Sequence, residues 1–180
     1  MKKVKKLLSL IVAAVMVIAM AVPTFAAVPQ TFTITAPAGD HVYEIYQIFT
    51  GTYSEKNNVK TLSDLKWGVN SKRDANVNVG DAVAETVINA LKGATGTDSE
   101  KLAVIKNYAD LGQSAFKTVK DGSSVDVAAG YYLIKDKDNS LTGKDDTYTL
   151  YIVQVVGDTV ITPKAKKRES FKKVKDTNDS

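Results

Sequence analysis

The sequence predicts a mainly β fold, a β-sandwich with a helical insert between its early and late strands. Three observations carry this. Runs of β-forming residues fall at both ends of the chain body, with Thr31–Thr35 and His41–Phe49 early and Tyr131–Ile134 and Thr147–Val156 late. Between them Val79, Val83, Val87 and Leu91 recur every four residues, the spacing of one helix face. Glycine and proline clusters separate the runs, and no internal repeat is present.

The first 26 residues have the layout of a secretory signal peptide. Met1–Lys6 carries four lysines, Leu7–Val22 is apolar except at Ser9, and Pro23-Thr24-Phe25-Ala26 puts small residues at −3 and −1. Cleavage is expected between Ala26 and Ala27. The competing reading is a retained membrane anchor, since the apolar run is nearly long enough for a span. The proline and the alanine box, placed where a peptidase acts, favour cleavage.

In the mature chain, Thr31–Thr35 alternates apolar and polar residues as a half-buried strand does, and Ala36–Asp40 is a turn. With the β run from His41 to Phe49 it predicts a hairpin. Tyr53–Asn58 reads as a polar loop, and Trp67 as a core plug beside Leu65 and Val69. Two helices follow. One spans the Val79–Leu91 repeat and stops at Gly93; the other opens on Thr97-Asp98-Ser99-Glu100 and uses Leu102, Ile105 and Ala109. The β pattern is expected to return only after Asp121-Gly122. Val125 and Val127 alternate, Gly130 bends the chain, Tyr131–Ile134 is a strand, and Asp136–Asp146 is a polar hairpin loop. A long strand, Thr147–Val156, then turns at Gly157-Asp158 into a last strand, Thr159–Thr162.

The chain has 180 residues, no cysteine, a single histidine and a net charge of +4. Disulfides, thiol nucleophiles and zinc knuckles are therefore excluded. The positive excess sits at the two ends, so the pI does not point to nucleic acid. Asp136-x-Asp138-x-Ser140 begins like a calcium loop, but Leu141 stands where glycine is needed and Thr147 where a bidentate glutamate is needed. It is read as a solvated hairpin, with no metal and no cofactor. His41 cannot assemble a histidine-rich site alone. No nucleophile elbow or phosphate loop is present, so no enzymatic activity is expected. Tyr43, Tyr46, Phe49, Tyr131 and Tyr132 are assigned to packing rather than to a carbohydrate-stacking face.

The lysines from Lys164 to Lys175 read mostly as a solvated linker. Lys164 differs, because Asp158–Pro163 is a strand closed by a proline, which removes a ladder donor and leaves the lysine at a strand exit. A positioned primary amine, once deprotonated, can attack an acyl intermediate.

Val42–Gly51, the Trp67-Gly68 pair, Ala128–Ile134 and the closing Thr162-Pro163-Lys164 together resemble the N-terminal domain of Gram-positive sortase-assembled pilin backbone subunits. The likeness covers most of the mature chain and keeps its order. It implies an Ig-like β-sandwich over residues 27–164, and then, over residues 165–180, a linker and the truncated first strand of a second Ig-like domain. It implies export to the bacterial surface, with sibling pilin subunits and a sortase as partners. It also implies that Lys164 receives the sortase-bound threonine of the next subunit, with Lys166 and Lys167 as neighbouring fallbacks. Lys172 matches the lysine of an intradomain isopeptide bond whose partners would lie beyond Ser180. Residues Thr31–Thr52 hold no lysine, so no such bond is expected in the first domain. The chain shows no Leu-Pro-x-Thr-Gly signal, and Lys166–Ser170 replaces a more usual proline-containing linker. The alternative is an adhesive, ligand-binding module of a cell-surface protein, using the helices or the aromatic strands.

Overall fold

The computed structural model describes residues 30–94, 98–141 and 149–163. Ala26, Ala27, Lys164 and Lys172 lie outside the described residues, as do the leader, residues 165–180 and Thr97 of the expected helix start. The described chain is mainly β. It comprises β1 (Thr31–Thr35), β2 (Val42–Lys56), β3 (Val59–Trp67), α1 (Glu85–Gly93), α2 (Asp98–Asn107), β4 (Lys117–Lys120), β5 (Ser124–Ala128), β6 (Gly130–Asp136), β7 (Leu150–Val155) and β8 (Thr159–Val160). The helices thus lie between early and late strands, as expected.

Two sheets form. One has the order β5-β1-β8, with β1 antiparallel to β5 and parallel to β8. The other has the order β3-β2-β6-β7, with β4 also on β2. The expected β1–β2 hairpin is therefore not formed, because Ala36–His41 carries the chain from one sheet to the other. Gly157-Asp158 likewise makes no hairpin. It passes from β7 in the larger sheet to β8 in the smaller one.

Strand β2 is the spine. Its Tyr43–Thr50 portion pairs with β6 on one side. Its other side takes β4 at Val42–Ile45 and β3 from Phe49 to Lys56. The gap between those two is closed by the chain after β3. Gly68 N donates to Ile48 O at 2.8 Å, Asn70 N to Gln47 O at 2.9 Å, and Gln47 N to the Asn70 side-chain oxygen at 3.0 Å. A Cβ on Gly68 would collide with the Gln47 carbonyl, and one on Gly130 with the Phe49 carbonyl, so both backbones need glycine to approach. The stretch read as a loop from Tyr53 is strand as far as Lys56. Asn57 and Asn58, with φ of 52° and 62°, then turn the chain tightly into β3.

The helix α1 starts at Glu85, later than the spacing from Val79 implied. Gly80 N bonds Trp67 O, Trp67 N bonds Asp81 O, and Val83 N bonds Leu65 O, so this segment extends β3's pairing before any helix begins. The short β4 is not marked in the sequence pattern, and Phe116 lies just before it. The core has two parts. Tyr46, Ile48, Phe49, Trp67, Tyr131 and Leu133 pack against Val87 and Leu91 of α1 and Ile105 of α2. On the other side of the larger sheet, Tyr43, Ile45, Tyr132, Ile134 and Val155 meet Ile34, Val127 and Ile161 from the smaller sheet's side.

Ile161 is 1% exposed and its neighbour Val160 62% exposed. Ile161→Ala is expected to lower unfolding free energy by about 2–5 kcal/mol, and Val160→Ala by under about 0.5 kcal/mol. Urea unfolding checks both. Equal costs would mean that β8 does not dock as described.

Candidate functional site

The chain leaves the described fold through β8, and four contacts fix it there. The Asp158 carboxylate accepts the Thr33 amide at 2.8 Å. Thr159 and Val160 sit beside Ile34 and Thr35 of β1 in parallel register. Ile161 N donates to Thr35 O at 2.8 Å while its side chain fills the inter-sheet core. β1 ends at that point, and the next amide finds no strand partner there. Thr162 N instead donates to the Tyr151 hydroxyl, at 3.3 Å, on β7 of the other sheet. Thr162 is exposed and Pro163 half-buried. The closing stretch is thus tied to both sheets as far as Thr162.

Burial pushes the Tyr151 hydroxyl up to about 12, with Tyr43 adding to the rise and the bond from Thr162 opposing it. It therefore stays protonated and neutral across ordinary pH. Asp158 is held below the ordinary carboxylate value of 3.8 by hydrogen bonds from Thr33, the amide first, with Lys60 adding a smaller pull.

A second polar cluster lies around the start of β2. The Asp136 carboxylate is fully buried. One of its oxygens accepts the Thr149 amide at 2.6 Å, and the other lies 2.8 Å from His41 Nδ1. The His41 ring stacks on Tyr43 with centroids 5.6 Å apart. The Tyr43 hydroxyl is buried without a hydrogen-bond partner and is pushed up to about 12 by burial and then by Asp136. On the opposite face, Lys135 Nζ lies 2.9 Å from Glu44, its directly paired neighbour on β2, and 3.2 Å from Asp138. The Tyr46 hydroxyl also donates to Glu44, at 2.9 Å.

Asp136 is therefore not part of the solvated loop that the sequence pattern predicts. It is the last residue of β6, and period-two alternation puts it on the same face as Tyr132 and Ile134. That alternation was the available signal. The cluster satisfies buried backbone groups and holds the residue before β7 against the end of β6. Among the described residues no group of three or more His, Cys, Asp or Glu side chains is placed to hold a metal ion.

Tyr43, Tyr46, Phe49, Tyr131 and Tyr132 are all buried, none more than 5% exposed, so they form no stacking face for a ligand. Among the described residues no helix is long and apolar enough to cross a membrane. No known protein-family model matches the chain, and no curated protein matches it either.

Asp136→Leu would remove the buried acceptor of the Thr149 amide, at a cost of about 1–3 kcal/mol in urea unfolding; an unchanged midpoint would contradict the geometry. For Asp158 the folded carboxyl titrates below its unfolded counterpart, so its stabilisation is present above the unfolded value and is lost as pH falls through the folded one. Asp158→Ala is expected to lower stability at neutral pH, with the gap to the unmodified chain narrowing as pH falls below the ordinary carboxylate value. Parallel pH–stability curves would contradict this.

Proposed function

We propose that the chain is a structural subunit of a covalently polymerised surface pilus, a substrate of a sortase and not itself an enzyme. In this reading residues 1–26 are removed on export, with cleavage between Ala26 and Ala27. Residues 27–164 are an Ig-like β-sandwich, and residues 165–180 begin a second domain of the same type. Lys164 is the acceptor. Its neutral amine attacks the carbonyl of a sortase-bound threonyl group, forming the C–N bond as the carbonyl–sortase bond breaks. The enzyme keeps that electron pair, and the proton lost by the amine passes to solvent. Lys172 would form the isopeptide bond of the next domain with partners beyond Ser180.

The observation that carries the reading is the way the fold treats Asp158–Pro163. A two-residue strand at a sheet edge would ordinarily fray. Here Asp158, Ile161 and Thr162 each make a separate contact with the body, and the lysine follows directly. A linker with no task at its start has no need of such anchoring. The order-preserving resemblance of Val42–Gly51, Trp67-Gly68, Ala128–Ile134 and Thr162-Pro163-Lys164 to pilin backbone subunits points the same way. Gly68 and Gly130, two of the quoted residues, sit where the β2 backbone leaves no room for a side chain. The rival reading of an adhesive module loses its aromatic surface, because those rings are packed inside.

Incubating the chain with a pilin-class sortase and a peptide ending in Leu-Pro-x-Thr-Gly tests the proposal. A threonyl adduct on Lys164 is expected, and Lys164→Ala should reduce conjugation at least about tenfold, as loss of the attacking group requires. Full conjugation of Lys164→Ala with no neighbouring lysine modified, or no adduct on any lysine, would overturn it.

A further inference from the structure

We propose that β7 is the seam of a homodimer, pairing antiparallel with β7 of a second copy about a twofold axis at Ile152. The inference goes beyond the pilus reading and does not depend on it.

Hydrogen-bond direction along β7 decides which of its groups look outward. Asp136 N donates to Thr149 O at 3.0 Å, so the Thr149 backbone faces β6. Antiparallel ladders alternate, so Tyr151, Val153 and Val155 face β6 too. Leu150, Ile152 and Gln154 therefore turn their amides and carbonyls away from it. β7 ends the larger sheet, and among the described residues nothing is hydrogen-bonded to those outward groups. The Leu150 and Ile152 side chains join the core that holds Ile105 of α2. That contact is made on the sheet's face, whereas the backbone groups of the edge lie in the sheet plane.

The other edges are blunted, as edges left to water usually are. β3 carries Lys60, Lys66 and Asp64, the last with φ of 49°, and its end is covered by the Asp81–Val83 segment. β4 is four residues long with a lysine at each end, β5 exposes Asp126 at its centre, and β8 has two residues. β7 has none of these devices. Leu150-Tyr151-Ile152-Val153-Gln154-Val155 contains no charge, proline or glycine. Its neighbour β6 is buried at every residue, whereas β7 is only half-buried from Leu150 to Gln154. An open edge of this kind is a template for a further strand.

A second copy fits because the edge is complementary to itself. With the axis at Ile152, Leu150 meets Gln154 of the second copy and Ile152 meets Ile152. Outward residues then face outward residues, and each such pair exchanges two backbone hydrogen bonds. Between them Tyr151 comes to lie against Val153, an aromatic and β-branched cross-strand pair. A charge at the axis would meet its own kind, and an uncharged isoleucine stands there. Sliding one copy by a single residue would set outward groups against inward ones, which fixes the register.

Sedimentation of the purified chain from about 1 μM to 1 mM, with amide hydrogen exchange at both extremes, is the test. A monomer–dimer equilibrium is expected. In the dimer, exchange at Leu150, Ile152 and Gln154 should slow at least about tenfold, while Tyr151 and Val153 stay equally protected in both states. Gln154→Pro removes an outward amide that the monomer does not use. It should weaken association at least about tenfold while the chain still melts cooperatively. A monomer at every concentration overturns the inference. So does a dimer whose Leu150, Ile152 and Gln154 amides exchange as fast as in the monomer, since the contact then lies elsewhere. Protection of those amides in the dilute monomer overturns it as well, because the edge is then already covered. The exchange pattern of the unmodified chain decides the matter even if Gln154→Pro fails to fold.

Discussion

Most of the architecture follows from one constraint: the backbone of β2 is buried along its first half, and every amide and carbonyl in it needs a partner. From Tyr43 to Phe49 the side chains are all buried or nearly so except Glu44, so the strand's backbone must find its hydrogen-bond partners within the protein. Strand β6 supplies one side. No single strand supplies the other. It is assembled from β4, from β3 and, between them, from the irregular Gly68–Asn70 stretch. Asn70 even lends a side-chain oxygen to the Gln47 amide, and its own side-chain amide donates to Ser114 O at 2.9 Å. That stretch is laid on the spine because the gap would otherwise hold unsatisfied buried groups, each costing more than a formed hydrogen bond returns.

The same constraint accounts for what the sequence revealed and what it concealed. Local features were legible: β1, the core of β2, the β6 run, the helical insert and the bend at Gly130 all carry periodicity or turn chemistry. Pairings were not. Thr31–Thr35 and His41–Phe49 flank a turn and so read as a hairpin, but which strands pair is decided by which apolar faces must meet. Ile34 faces a core shared with Tyr43 and Ile45 from across the sheets, and that placement is incompatible with edge-to-edge pairing. Lys117–Lys120 carries one buried residue, Val119, in four, too little pattern to mark a strand. Val79 fits a helical spacing by coincidence, for Val83 is buried by an extended segment and Val79 is 48% exposed. Asp136 was misplaced for the opposite reason. Its charge suggested a loop, while its alternation with Tyr132 and Ile134 placed it inside.

The exit strand shows how a marginal element is made definite. Two paired residues cannot hold a strand in place by ladder bonds alone. The smaller sheet contributes Thr33 and Thr35, the core contributes a socket for Ile161, and the larger sheet contributes Tyr151. Only the proline of this arrangement was visible beforehand, since the others depend on which residues of distant strands come together. A force applied beyond Pro163 would be passed into both sheets, the behaviour a subunit in a covalent fibre requires.

The most direct measurement is peptide mapping of the polymer released from the cell surface. The account expects a branched peptide in which the ε-amine of Lys164 carries the carboxyl-terminal threonine of another subunit through an amide bond. A chain recovered only as monomer, or threonine joined to lysines elsewhere with Lys164 unmodified, would contradict it.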